Sequence, residues 1–228
     1  MIPVSKAIIL AAGKGKRMGS LTSFKPKPLL KVGGKTFLDH IFNVLPKSVK
    51  EVVVVIGYRG QQIKDYLGRY YKGRKIIYVW QKKPTGTAHA FLLTKPYFKP
   101  KDRFLIFYAD ELPTRQEMQK CLLRQFSWLC HKVSNLRQTS IVKISKSGRI
   151  LEVVERPLIF FSKIAGGGVM LVDADLFKYR PHRHQNGEHY LTSMLNKFLK
   201  THKVYAVIGR PNLYFTKPVD IDKFNKSK

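Results

Sequence analysis

The stretch Ile8 to Met18, IILAAGKGKRM, runs from β-branched and apolar residues into two glycines and then three cations within four residues. Its first half suits a buried strand, and its second half a tight turn. A glycine-rich turn after a strand lets successive backbone N–H groups close around phosphate oxygens, and Arg17 adds a planar cation with several donors. The spacing is not GxGxxG, because the third glycine falls at Gly19, and no GKS or GKT follows to make a P-loop. A plain turn with solvated lysines fits the same residues, so the loop alone leaves both readings open.

Working outward, short apolar runs recur at Ala7–Ala12, Val52–Ile56, Ile76–Trp80, Phe104–Tyr108, Ile141–Ile144, Ile150–Val154, Val169–Val172 and Val204–Ile208. Between the early runs, Phe37-Leu38-Ile41-Phe42-Leu45 and Ile63-Tyr66-Leu67 have helical spacing. Strand and helix alternation of this kind predicts parallel strands joined by crossover helices. Near-continuous apolar runs such as VVVVI belong in a sheet covered on both faces. The later run SIVKISKSGRILEVVE predicts an antiparallel hairpin turning at Ser147-Gly148. The expected fold is a Rossmann-like α/β/α sandwich with a central mixed, mainly parallel β-sheet, in one domain over residues 1–228. Ligands of such folds sit at the carboxyl ends of the strands.

The 228 residues, 44% of them apolar, can bury one sizeable core. With 43 Lys+Arg against 14 Asp+Glu the formal charge is +29, a field that draws nucleotides, nucleic acid or an anionic membrane surface without choosing among them. No basic run exceeds two residues, so the cations read as a solvated surface. Gly68–Trp80, GRYYKGRKIIYVW, could stack bases, yet half of it reads equally as a buried strand. Cys121 and Cys130 form no CxxC pair, which argues against a zinc knuckle or a disulfide framework and fits a reducing cytoplasm. No signal-type segment opens the chain and no 18-residue uncharged apolar run occurs, so a cytoplasmic protein with no membrane partner is expected.

The run LAAGKGKRM, continued by PKPLLKVGGKTFLDH, closely resembles the signature of the sugar-1-phosphate nucleotidyltransferases. QKKPTGTAHAF from Gln81 is similar to the base-recognition loop of that family, FLIFYADEL to its strand ending in a metal-binding Asp, and EVVERP to its EKP motif. AGGGVMLVD resembles the glycine-bearing strand that follows, and GEHYLTSML the segment near the sugar. The matches keep family order along most of the chain. Lys16 stands where the family usually has Thr, and Arg156 where it usually has Lys. The 228 residues leave no room for the long C-terminal β-helix of some members, so no fused acetyltransferase is expected.

The resemblance implies that a sugar-1-phosphate attacks the α-phosphorus of an NTP, giving an NDP-sugar and pyrophosphate with Mg²⁺. UTP or dTTP is favoured. Arg17 and Lys27 are the implied catalytic cations. Leu10, Ala11, Ala12, Gly13, Gly15, Gln81, Gly86 and Thr87 would bind the nucleotide. Gln81 can pair its amide donor and acceptor with a pyrimidine edge. Glu155, Arg156, Gly168 and Glu188 would hold the sugar phosphate. Asp110, at a strand's carboxyl end, is the implied metal ligand, as a hard oxygen donor suited to Mg²⁺. Near the C-terminus, YFTKPVDIDKF allows two registers: Asp220 as second ligand, which is preferred, or Thr216 in that place with Asp220 a helix-start residue. His182 and His184 read as loop residues. Partners are then an NTP and a sugar-1-phosphate, with nucleic acid not favoured despite the charge and a homo-oligomer allowed. Two other classes stay open: a family-like regulatory protein that binds nucleotide-sugars without turnover, and a charge-driven nucleic-acid binder.

Overall fold

The structure, a computed structural model, describes residues 3–133, 139–211, 215 and 217–226. In chain order its strands are β1 (Lys6–Ala11), β2 (Lys31–Val32), β3 (Lys35–Thr36), β4 (Glu51–Ile56), β5 (Tyr70–Tyr71), β6 (Arg74–Trp80), β7 (Arg103–Tyr108), β8 (Ser127–Lys132), β9 (Ser140–Ile144), β10 (Ile150–Glu155), β11 (Ile164–Asp173) and β12 (Tyr205–Ile208). The α-helices are α1 (Phe37–Val44), α2 (Gly60–Leu67), α3 (Thr87–Leu92), α4 (Arg115–Leu122), α5 (Leu191–Phe198) and α6 (Pro218–Lys226).

The main sheet has the order β10-β9-β11-β7-β1-β4-β6-β5, with β8 beside β11 and β12 beside β8. Its centre, β7-β1-β4-β6, is parallel, and antiparallel strands are added on either side. This is the mixed α/β sandwich expected from the sequence. Successive β1 residues point to opposite layers. Ala7, Ile9 and Ala11 pack with Leu38, Ile41 and Phe42 of α1, Ile63 and Leu67 of α2, and Met118 and Cys121 of α4. Ile8 faces Ala88 and Phe91 of α3 and Leu191, Met194, Leu195 and Phe198 of α5. Both cysteines are free and buried; burial pushes both thiols up, Cys121 to about 11, so neither is a thiolate at neutral pH.

Two elements depart from the apolar-run reading. β8 carries Ser127, Trp128, Cys130 and His131 in no alternating pattern, yet it is buried between β11 and β12, with partners for the Ser127 hydroxyl, the Trp128 indole and His131 Nδ1, although His131 Nε2 has none among the described residues. Ser127 Oγ donates to Cys121 O at 3.0 Å, Trp128 Nε1 to Gly167 O at 2.6 Å, and His131 Nδ1 to Arg210 O at 2.7 Å. β11 starts well before Val169 and continues through Gly166-Gly167-Gly168, with a register shift against β8 between Gly166 and Met170. A Cβ on Gly166 would stand 2.0 Å from the Trp128 ring, and one on Gly167 2.7 Å from His131 Nε2, so glycine here marks close approach and not a break. The predicted hairpin is present, with Gly148 at φ +79° between antiparallel β9 and β10.

A capping box starts α1: Thr36 Oγ1 accepts from Asp39 N, and the Asp39 carboxylate accepts from Thr36 N. The same carboxylate accepts from the hydroxyls of Tyr66 on α2 and Tyr71 on β5, tying three elements together. Burial alone would raise this carboxyl, but the hydrogen bonds from Tyr71, Thr36 and Tyr66 outweigh it and hold Asp39 well below the usual carboxylate range. A depressed folded value contributes stability above the unfolded pKa of about 4, lost as pH falls below it. Asp39→Asn should therefore lower stability by about 2 kcal/mol at neutral pH. In urea titrations run from pH 7 downward, the gap between the two proteins should close below about pH 4.

Candidate active site

β1 ends at Ala11, and the chain turns through Gly13-Lys14-Gly15 into a 3₁₀ segment, Lys16–Thr22, that is broken into two short turns by a kink at Gly19. Gly15 sits at φ +63°, and a Cβ there would press at 3.1 Å on both Lys27 Cβ and Thr22 Cγ2. Thr22 Oγ1 donates to Gly15 O, and Met18, buried below, anchors the turn. No side chain caps the turn's first N–H groups. The loop therefore presents backbone donors together with Lys14, Lys16 and Arg17 to one side of an open cleft of about 580 Å³.

Across the loop, Pro26 and Pro28 fix the backbone around Lys27. Lys27 Nζ donates to Asp110 Oδ2 at 2.6 Å and lies 5.9 Å from the Phe37 ring centre. Asp110 follows β7, the neighbour of β1, so parallel register brings the two strand ends together. The Lys27 side chain is 12% exposed and that of Asp110 44%, which leaves the carboxylate facing the cleft. At the other end Gln81, just past β6, is buried. Its Nε2 donates to Gly86 O at 3.2 Å and meets His89 Nδ1 at 3.2 Å, which orients the amide. Gly86 has φ +113°, and its Cβ position lies 2.4 Å from His189 O. His189 N donates to Thr85 O, Ala88 N to His189 O, and Leu191 N to Thr87 Oγ1. These bonds join the 85–88 turn to the segment that carries Glu188.

Arg156 and Glu188 line the same cleft. Arg156 has φ +46°, unusual for a residue with a Cβ, and its guanidinium lies 5.5 Å over the Tyr190 ring. Glu155 lies behind this wall, accepting from Thr192 Oγ1 at 3.1 Å; burial pushes its carboxyl up, against the opposing pull of Thr192 and Arg156. Gly168 is also behind, where a Cβ would overlap Glu111 and Tyr108. Thus Leu10, Ala11, Ala12, Gly13, Gly15, Arg17, Lys27, Gln81, Gly86, Thr87, Asp110, Arg156 and Glu188 line one cleft, whereas Glu155 and Gly168 support its wall. Tyr108 lines it too and was not anticipated; it ends β7 two residues before Asp110, a position that could have revealed it. Burial pushes its phenol above the usual range.

Asp220 does not line the cleft. It is the third residue of α6, and its Oδ2 accepts from Lys217 N at 2.7 Å, the geometry of a helix-start acid. Thr216, the alternative ligand, lies outside the described residues. Asp173, Asp175 and His202 come close enough to hold a cation. They lie at the opposite end of the sheet, since Asp173 pairs with Arg103 at the start of β7, and Asp175 already binds Lys178 at 2.7 Å. His182 and His184 flank a polar turn closed by the Arg183–His189 bridge and the bond from His184 N to Glu188 O. For Mg²⁺ the residue that fits is Asp110, a hard, part-exposed carboxylate beside the cationic loop.

A parallel sheet whose strand ends carry a glycine-rich cationic loop and a facing carboxylate defines an α/β protein with its cleft at the carboxyl ends of the strands. The chain belongs to the nucleotidyl transferase family, whose model matches residues 6–213. Bifunctional protein GlmU of Methanococcus vannielii is 27% identical over 235 residues, covering 93% of this chain and 55% of that protein. The chain spans about half the length of the archaeal GlmU proteins it matches. UTP–glucose-1-phosphate uridylyltransferase AglF of Haloferax volcanii is 29% identical over 165 residues, 67% of this chain and 65% of that one. Two solved structures share the fold. A UDP-glucose pyrophosphorylase complexed with UDP-glucose superposes with a TM-score of 0.85 at 19% identity, covering 99% of this chain and 98% of that one. A putative glucose-1-phosphate thymidylyltransferase from Bacillus anthracis gives 0.83 at 21%, covering 99% and 95%.

The glycines of this site separate two constraints. Gly86→Ala puts a methyl into the His189 backbone at a left-handed φ and should cost about 2–3 kcal/mol in urea unfolding. Gly13→Ala meets no atom within 4 Å and should change stability by less than about 0.5 kcal/mol.

Proposed function

We propose that this chain is a single nucleotidyltransferase domain that joins a sugar-1-phosphate to an NTP, UTP or dTTP first, with release of pyrophosphate and dependence on Mg²⁺. The observation that carries the reading is the Lys27–Asp110 pair, 2.6 Å apart, set opposite the Gly13–Arg17 loop in one cleft. Support for a pyrimidine nucleotide comes from the buried, oriented Gln81 amide and from relatives whose names specify UTP, UDP-glucose or thymidylyl transfer. The same names make glucose-1-phosphate the first sugar to try.

In the proposed reaction an oxygen of the sugar-1-phosphate forms a bond to the α-phosphorus, the bond to the bridging oxygen breaks, and pyrophosphate leaves. A phosphate monoester has a second pKa near 6, so the nucleophile is already an anion at neutral pH and no general base is needed. The protein's task is positioning and charge neutralisation. The loop N–H groups and Arg17 would hold the departing phosphates, and Lys27 the α-phosphate or the attacking one. Gln81 would read the base, with Gly86 letting the backbone approach the ring. Arg156 and Glu188, backed by Glu155 and Gly168, would seat the sugar phosphate. Mg²⁺, when bound, would neutralise the triphosphate. Asp110 is the proposed ligand, with Lys27 on its Oδ2 and the other carboxylate oxygen available to a cation; coordination by Asp220 would require its carboxylate to turn from Lys217.

Pyrophosphate release should be measured with the four NTPs and dTTP against several sugar-1-phosphates. Arg17→Ala and Lys27→Ala are each expected to lower turnover about 100-fold or more, the loss of a preorganised charge contact of roughly 3 kcal/mol. Asp110→Ala should abolish Mg²⁺-dependent release, whereas Gln81→Ala should flatten the NTP profile more than it changes maximal rate. Wild-type rates in Asp110→Ala would reject this cleft as the site of Mg²⁺-dependent turnover, absence of release by the wild type with every substrate pair would reject the enzyme reading, and oligonucleotide affinity that falls steeply with salt would favour the charge-driven alternative.

A further inference from the structure

Between β10 and β11 the chain leaves the outermost strand of the sheet and presents Leu158, Ile159, Phe160 and Phe161 in sequence, exposed to 94, 83, 41 and 44%. Four adjacent large apolar residues on the surface of a chain this polar require an occupant. Exposed cations border them: Arg156 on one side, Lys163 on the other, and Lys132, whose neighbour strand places it beside Ile164. We propose that this loop inserts its apolar tip into an anionic lipid surface, with the flanking lysines and the wider basic surface at the level of the headgroups.

Charge selects this occupant over a second copy of the chain. Two molecules of +29 repel one another, whereas a lipid surface rich in phosphate attracts every cation within a Debye length. An apolar insertion paired with a basic patch is the two-signal arrangement that makes peripheral binding stable. This is contact at a surface and not a span: among the described residues no helix is long and apolar enough to cross a membrane. Because Arg156 lines the cleft, docking here would set the cleft mouth next to the lipid. The inference stands independently of the proposed reaction.

The test is co-sedimentation with vesicles of phosphatidylcholine alone and of phosphatidylcholine mixed with phosphatidylglycerol, for the wild type and for Leu158→Ser/Ile159→Ser. Neither residue lines the cleft or packs in the core, so thermal unfolding of the variant should match the wild type. The wild type should partition at least about tenfold more onto the anionic vesicles, less so as salt rises, and the double variant should lose about tenfold or more of that binding. Equal partition onto both vesicle types, or full binding by the double variant, would overturn the proposal. So would a wild-type oligomer, seen by sedimentation velocity, that dissociates in the variant, since a second copy would then be the occupant.

Discussion

Everything at the cleft depends on β1 being held in parallel register between β4 and β7. Leu10 pairs with Val55 on one side and Tyr108 on the other, so the three strands end together. The ladder continues past the strand ends: Tyr58 N donates to Ala12 O at 3.3 Å and Ala109 N to Leu10 O at 3.2 Å. Only small residues fit at this junction, since a Cβ on Gly57 would lie 2.8 Å from Ala12 O. A strand buried on both faces cannot slip without moving charged loop residues into the core, which is why the loop, Asp110 and Gln81 open on one side.

That register concentrates charge in a way a single loop could not. Lys14, Lys16, Arg17 and Lys27 converge on the cleft, and Asp110 is the carboxylate placed among them at hydrogen-bond distance from Lys27. An acid so placed neutralises part of the cationic field before any substrate arrives. A polyphosphate entering with its cation would exchange both partners at once, phosphate for the carboxylate at Lys27 and metal for the ammonium at Asp110. The far wall is stiffened differently, by hydrogen bonds from and to the backbone, one of them to the Thr87 hydroxyl, between the 85–88 turn and residues 189–191 that join segments about a hundred positions apart.

How much of this could be read from the chain follows from which signals are local. Three strands of the parallel centre, β1, β4 and β7, are runs of largely buried apolar residues, and Val52–Ile56 and Phe104–Tyr108 fall within β4 and β7. The loop glycines, Lys27, Gln81 and Asp110 sit in motifs at strand ends, so sequence order already carried their convergence. β8 was illegible because its burial rests on partners, such as Gly167 O for the Trp128 indole, supplied by residues far along the chain. The apolar-run reading began β11 only at Val169, after its glycines, although AGGGVMLVD as a motif already read as a glycine-bearing strand; the ring that demands Gly166 belongs to another strand. For Asp220 the spacing allows two registers; the structure gives its bond to Lys217 N, a local contact that no spacing encodes, while Thr216 lies outside the described residues. The exposed 158–161 tip was visible only once the sheet edge was known.

The account rests on the cleft being the seat of a triphosphate, and a crystal structure of the chain with UTP and Mg²⁺ tests it most directly. The account predicts phosphate oxygens on the Gly13–Arg17 backbone, Lys27 turned from Asp110 to phosphate, the cation on Asp110 and the uracil edge against Gln81. Nucleotide bound elsewhere, or bound here with the Lys27–Asp110 pair intact and no cation at Asp110, would contradict it.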